Sequence, residues 1–246
     1  MTDNLHWWKA KELSLKRKAA AAMRPACANP GDSFLIVTEG TVTEPVYFEL
    51  LRESLQLSTV TVKVMPGKAS DPRHVIQSAA DEVKKLARRV RQKKVAATEL
   101  KSFDHVWAVI DTDVAIRLGY WNDVIQKARD LKVKLAHSTP CFEYWLLLHL
   151  KMTTRGDLIN GDTAKRAFRD ELGHEYSTNR EITEQAFKSL IPEWPTAVRN
   201  AQKVRQHHDD ANTPSPADPS TEVDRIVSAL NDSAPPHLRK ISCREP

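Results

Sequence analysis

Three apolar runs in this chain each carry an acid at one end, and that repeated arrangement most constrains the fold. Residues 34–40 read FLIVTEG, residues 106–113 read VWAVIDTD, and residues 138–145 read STPCFEYW. Short, continuously apolar runs suit strands buried on both faces, and such strands belong to parallel sheets covered by helices. In these sheets, sites assemble outside the carboxyl ends of the strands. Acids gathered there repel one another unless a cation neutralises them. An all-oxygen donor set points to a hard ion, Mg²⁺ first and Mn²⁺ second.

The rest of the chain supports that reading. Strands are expected over residues 33–38, 58–65, 105–110 and 133–137. Helices are expected over 44–57, with Thr43 as its cap, from Asp71-Pro72 to about Lys94, and over 120–131 and 142–150. Alternation of the two implies α/β. After Asp162 only helical patterns remain, over 162–172, 180–190, 195–208 and 220–231. The expected organisation is a basic N-terminal segment 1–31 with a helix over 9–23, an α/β domain 32–160, a helical extension 161–232 and a tail 233–246.

Composition removes several classes. The chain has 246 residues and only 7 glycines. It contains neither a G-x-G-x-x-G nor a P-loop pattern, so no Rossmann or P-loop nucleotide site is expected. Its three cysteines, Cys27, Cys141 and Cys243, are widely spaced, which fits a reducing cytoplasm. The longest apolar run, 144–148, is too short to span a bilayer. The N-terminus has no apolar signal core.

The net charge is +5, and part of the excess is concentrated in Lys84, Lys85, Arg88, Arg89, Arg91, Lys93 and Lys94. Such a run is either a solvated helix face or a contact surface for nucleic-acid phosphates. It lacks the aromatic face that a membrane-binding helix needs.

Taken singly, each acid has an ordinary reading. Glu39 before Gly40 can be a turn residue, Asp111-x-Asp113 can be a loop or a cap, and Glu44 complements a helix dipole. Glu143 is harder to dismiss, since an unpaired charge between Phe142 and Tyr144-Trp145 is costly. If the chain stays extended, Asp111 and Asp113 point the same way, and Glu39 joins them if the two strands are neighbours. Such a cluster can hold one or two Mg²⁺ ions, and an acid not used as a ligand can act as general base or acid. His149 lies six residues after Glu143, about 240° around a helix, so a core histidine is expected there. His207-His208-Asp209-Asp210 reads as a polar helix end and Cys141 as a small buried residue. Phosphatases of the haloacid-dehalogenase type use Asp-x-Asp-x-Thr, but position 115 is Ala. Glycosyltransferase Asp-x-Asp motifs leave the Thr38-Glu39-Gly40 element unexplained.

Glu39-Gly40 after one strand and Asp111-x-Asp113 after a later one resemble the Toprim signature of topoisomerases, primases and OLD-type nucleases. More specifically, VTEGTVTEPVYF at 37–48, STPCFEYWLLLH at 138–149 and DPSTEV at 218–223 resemble motifs of the RloB family, in order, across residues 33–230. The resemblance implies a Toprim-like, mainly parallel sheet flanked by helices, with a C-terminal helical extension. It implies a Mg²⁺- or Mn²⁺-dependent nuclease acting on DNA or RNA in bacterial phage defence, beside an AAA-type ATPase partner (RloA-like). Glu39, Asp111 and Asp113 would then be catalytic, and the metal ligands would come from Glu39, Glu44, Asp111, Asp113 and Glu143. The alternative is a non-catalytic nucleic-acid-binding or sensor subunit. Two departures stand out. Thr112 replaces the charged residue that the family usually has between its aspartates. Tyr176 is followed by Ser177 and Thr178 where the family tends to have a lysine, which leaves Lys165 as a substitute base.

Overall fold

The computed structural model describes residues 31–57, 62–66, 71–96, 101–158, 160–173, 176–177 and 179–241, with the side chains of 62–66 left aside. The expected N-terminal helix and the last five residues of the expected tail lie outside this set.

Strand β1 (Phe34–Thr38) leads into α1 (Thr43–Ser54), β2 (Val62–Pro66), α2 (Pro72–Arg91) and β3 (His105–Asp111). Two short helices follow, α3 (Asp113–Arg117) and α4 (Trp121–Asp130), then β4 (Lys134–Thr139) and α5 (Phe142–Leu150). The sheet order is β2-β1-β3-β4-β5. The first four strands are parallel, and the two-residue β5 (Ser220–Thr221) adds antiparallel to β4. This is the α/β, mainly parallel architecture expected from the apolar runs.

The residues of β1 and β3 explain why these strands are central. Phe34, Ile36, Trp107 and Val109 join one core, while Leu35, Val37, Ala108 and Ile110 join the other. Alternate side chains thus feed opposite faces, and both faces are apolar, as a doubly covered strand requires. Helices α1 and α5 cover the first face, and α2 and α4 cover the second. The chain runs outward from β1 to β2 and then returns past β1 to β3, so the connecting helices change face. That reversal opens a crevice between the carboxyl ends of β1 and β3, the usual ligand position in such sheets.

The helical part, α6 (Gly161–Leu172), α7 (Arg180–Leu190), α8 (Trp194–Asp210) and α9 (Val223–Ser233), packs on the α1/α5 layer. Phe168, Phe187 and Trp194 enter the same core as Trp107 and Trp145. Local caps set several starts. Asp71 accepts the Arg73 N–H at 2.8 Å with Pro72 next to it, and Asn160 and Thr163 form a capping box. Beyond α9, Asn231 accepts the Lys240 N–H at 2.9 Å and donates to the Ile241 carbonyl at 2.8 Å. The chain is therefore held to residue 241.

Four local readings change. Ser220 and Thr221, expected to open the last helix, form β5 instead, and that helix starts at Val223. Thr43 is the first helical residue of α1 and not its cap; its hydroxyl faces Tyr176 instead. The α2 helix stops at Arg91, and Lys93 takes a positive φ of 53°. The Asp-x-Asp segment is not extended: β3 ends at Asp111, Thr112 turns into the helical region and Asp113 begins α3.

Candidate metal centre

Glu39 is the first residue beyond β1, and Asp111 is the last of β3. Because these strands are neighbours in register, the Glu39 carboxylate (Oε2) accepts the Asp111 backbone N–H at 3.1 Å. Asp111 Oδ1 in turn accepts the Phe142 N–H at 2.9 Å. Phe142 opens α5, and its N-cap residue Cys141 makes no side-chain cap bond. Asp111 therefore caps α5 from a strand away, where the helix dipole favours a negative group. For Glu39 and Asp111 these bonds engage one oxygen, leaving the other for a cation or water.

Glu44 lies in the first turn of α1 and reaches back to accept the Gly40 N–H at 2.9 Å. A Cβ on residue 40 would fall 2.8 Å from the Glu44 Cδ, so only glycine lets this carboxylate fold over the turn. Thr38 Oγ1 donates to the Gly40 carbonyl at 2.8 Å and fixes the other side of the loop. Glu143, in the first turn of α5, accepts from the Tyr176 hydroxyl at 3.1 Å. The same hydroxyl lies 3.0 Å from Thr43 Oγ1. Asp113 Oδ1 accepts the Val114 N–H at 2.7 Å.

The electrostatics tie these acids into one group. Burial, reinforced by Glu44, Asp113 and Asp71, pushes Glu39 from 4.5 up to about 8 against the opposing Asp111 N–H. Asp111 is raised well above the usual carboxylate range, first by burial and then by Glu44, Glu39, Glu143 and Asp113. Glu44 is raised by burial and by Glu143, and is lowered by its backbone hydrogen bonds and by Lys165. Lys165, on α6, has its pKa raised chiefly by Glu143, with Asp111 contributing. The structure thus brings Glu39, Glu44, Asp111, Asp113 and Glu143 into one neighbourhood with Lys165 at its rim. Asp113 arrives by a route different from the expected one: α3 turns it toward the cluster, where an extended strand was expected to carry it.

The donor set fits a hard divalent ion. It is all oxygen, partly desolvated, and crowded with like charge that a cation would relieve. As placed, no three of these side chains close around a single point among the described residues. A bound ion would therefore draw the free oxygens inward.

Other expected positions separate from this cluster. The Thr112 side chain is fully buried and donates to Thr139 Oγ1 at 2.8 Å, so a charged residue is not accommodated there. His149 lies in the core between Tyr47 Oη at 3.1 Å and the Trp145 carbonyl at 3.1 Å, and burial lowers its pKa to about 4. Its neutral ring donates through Nδ1 and accepts through Nε2. Burial, with Glu143 and Asp111 nearby, raises the Cys141 thiol well above its ordinary value, so it is no nucleophile. His208 bonds the Pro219 carbonyl at 2.8 Å at the end of α8.

Lys84, Lys85, Arg88, Arg89, Arg91, Lys93 and Lys94 are exposed along the last turns of α2 and just beyond it. They do not adjoin the acids. The N-terminus of α2 is at the acid end, where Asp71 influences Glu39. Lys84 lies twelve residues further on, ~18 Å along the helix and toward the amino edge of the sheet.

Three neighbours of the cluster were not legible as site residues. Tyr176 stood out in the sequence only as a landmark for a missing lysine. Asp71 and Tyr120 each signalled only a helix start, yet the Tyr120 hydroxyl feels Asp71, Glu39 and Asp113. A family model described as RloB-like protein matches residues 34–230. No curated protein and no solved structure matches the chain.

Proposed function

The chain belongs to the RloB-like protein family, and from that premise and its acid cluster we propose that it is a Mg²⁺- or Mn²⁺-dependent, Toprim-like nuclease. The observation that carries this reading is the mutual crowding of Glu39, Glu44, Asp111, Asp113 and Glu143 at the β1/β3 crevice. Glu39, Asp111 and Asp113 would supply ligands from two strand ends, with Glu44 and Glu143 completing the set. A bound divalent ion would polarise a phosphodiester and lower the pKa of an attacking water. Burial and the neighbouring acids raise Glu39 in the absence of a cation, and a bound ion would lower it again; an acid of the cluster not taken up as a ligand would serve as general base or acid. Lys165, held by the charge of Glu143, would be the cation that meets a phosphate oxygen. Tyr176 keeps Glu143 oriented through its hydroxyl.

The family resemblance extends the proposal to bacterial phage defence under control of an AAA-type ATPase. One observation favours the alternative, a non-catalytic nucleic-acid-binding or sensor subunit. Asp111 caps α5 and Glu44 holds the Gly40 loop, so both acids also serve the fold. Titration with Mg²⁺ and Mn²⁺, followed by incubation with plasmid, single-stranded DNA and tRNA, separates the two. Metal binding with metal-dependent cleavage is expected. Nucleic-acid binding without cleavage in either metal would assign the chain to the non-catalytic class.

A further inference from the structure

The corner that follows Asp113 carries an unusual set of exposed groups. Ile116 and Arg117 lie three and four residues after Asp113 on α3, and so on the same helical face. Ile116 is 42% exposed and Leu118 is 65% exposed. Gly119 then turns the chain with φ of 74°, and Tyr120 packs its ring under Arg73 at 4.3 Å. Asp71 engages Arg73 through Nε and Nη2, which leaves Nη1 for another acceptor. Asp113 opens the same short helix that carries Ile116 and Arg117, so this corner continues from the acid cluster.

A single exposed leucine would need no explanation. Here two large apolar groups, two arginines and a tyrosine stand together beside a site read as phosphodiester-cleaving. We infer that the Ile116–Tyr120 corner, with Arg73, grips unstacked single-stranded nucleic acid on its way to the acid cluster. Ile116 and Leu118 meet base faces, and Arg73 and Arg117 meet the phosphates on either side. A duplex offers phosphates and groove edges but keeps its base faces stacked, so the apolar pair gains nothing from it. A docked protein would need a much larger apolar surface than two residues, since stable interfaces bury ~800 Å² per partner. The inference rests on the proposed function for the class of substrate and adds that the strand must be unpaired where it is engaged.

The test is binding, kept apart from cleavage. Affinities of the full chain for a short labelled single strand and for the matching duplex are measured by fluorescence anisotropy in Ca²⁺. The Ile116→Ser/Leu118→Ser double variant changes only exposed side chains, and circular dichroism checks its fold. Single-strand affinity should fall about fivefold or more, as two aliphatic contacts to base faces are lost, while duplex affinity changes by less than about twofold. A Lys84→Ala/Lys85→Ala control should weaken both forms alike. Unchanged single-strand affinity in the double variant, or no binding of nucleic acid by the wild type, overturns the inference. Loss of a protein partner with nucleic-acid binding intact also overturns it and assigns the corner to protein docking. If the variant loses single-strand binding but the wild type cleaves nothing, the nuclease reading fails and the corner assignment stands.

Discussion

The two edges of the sheet handle charge in opposite ways. At the amino edge several charged groups are met by close partners. His105 Nε2 bonds Asp32 at 2.8 Å, and Lys134 reaches the other ring nitrogen at 3.2 Å. Asp104 accepts from both the Ser33 hydroxyl at 2.6 Å and the Ser33 N–H at 2.8 Å, and these bonds hold its carboxyl below the usual range. At the carboxyl edge, Glu39, Glu44 and Asp111 are pushed upward by burial and by one another. Both edges belong to the same two strands, β1 and β3. Asp104 is satisfied by local hydrogen bonds alone, whereas Glu39, Glu44 and Asp111 accept backbone hydrogen bonds and are still pushed upward by burial and by other acids of the cluster. The contrast is the physical ground for placing the proposed site at the carboxyl edge.

The largest effect expected from this contrast is on cleavage. Asp111→Asn keeps an acceptor for the Phe142 N–H but removes a charged ligand, and Glu39→Gln does the same beside the Asp111 N–H. Each should lower metal-dependent cleavage more than ~100-fold, since removing groups that merely orient a ligand already costs about 10–100-fold. The metal-free melting temperature should hold or rise, because repulsion is relieved. Full activity in both variants would remove the acids from the chemistry.

Gly40→Ala should come next. Its new Cβ collides with the Glu44 carboxyl, so Glu44 must leave the Gly40 N–H. The clash is with the far end of a flexible side chain that can swing aside, so the cost is that of leaving the Gly40 N–H without its partner, about 1–3 kcal/mol, read from denaturant unfolding, with weaker Mn²⁺ binding by calorimetry. Unaltered stability and binding would mean that Glu44 moves freely and has no fixed role.

Asp104→Ala provides the amino-edge counterpart. It removes an acceptor from Ser33 and should destabilise by about 1–2 kcal/mol at pH 7. A folded-state pKa below the ordinary value means that this stabilisation is present above the unfolded pKa and is lost as pH falls through the folded one. Cleavage should not change; a cleavage defect at unchanged stability would erase the division between edges.

The smallest effect concerns the basic run. Replacing Lys84, Lys85, Arg88 and Arg89 should leave the fold intact and reduce the salt slope of duplex binding by ~0.9 for each phosphate no longer neutralised. The rate of the chemical step should be unaffected, because the run begins ~18 Å along α2 from the acid end. No change in affinity or slope would make it a solvated helix face.

Much of the sheet was legible because β1 and β3 are apolar on both faces, a pattern that few other elements produce. The helical part was legible from its periodicity, and Arg180–Leu190 is found where it was expected. Glu39 and Asp111 could each be placed at a strand end because strand ends follow from strand runs; that their strands are neighbours was a condition of the reading, and the sheet meets it. Asp113 could not be placed for the right reason. Whether a residue after a strand stays extended depends on tertiary interactions such as the buried Thr112–Thr139 bond, which no local pattern encodes. The same limit hid β5, two residues long, and Tyr176, whose hydroxyl meets a partner 33 residues away. The distance between the basic run and the acids was also invisible, because it depends on the direction of α2 relative to the sheet.

The melting temperature of the wild-type chain at pH 6 and pH 8, in EDTA and in Mn²⁺, decides whether the carboxyl-edge acids are held for a cation. Glu39 lies near 4.5 when unfolded and at about 8 when folded, so between those values the folded state holds the extra proton. Metal-free stability must then fall as pH rises through this window, by on the order of a few kcal/mol at most. Mn²⁺ should reverse the loss, raising the melting temperature more at pH 8, where fewer protons compete for the acids, than at pH 6. A melting temperature that ignores both pH and Mn²⁺ across this range would contradict the claim that these acids stand in mutual conflict until a cation binds.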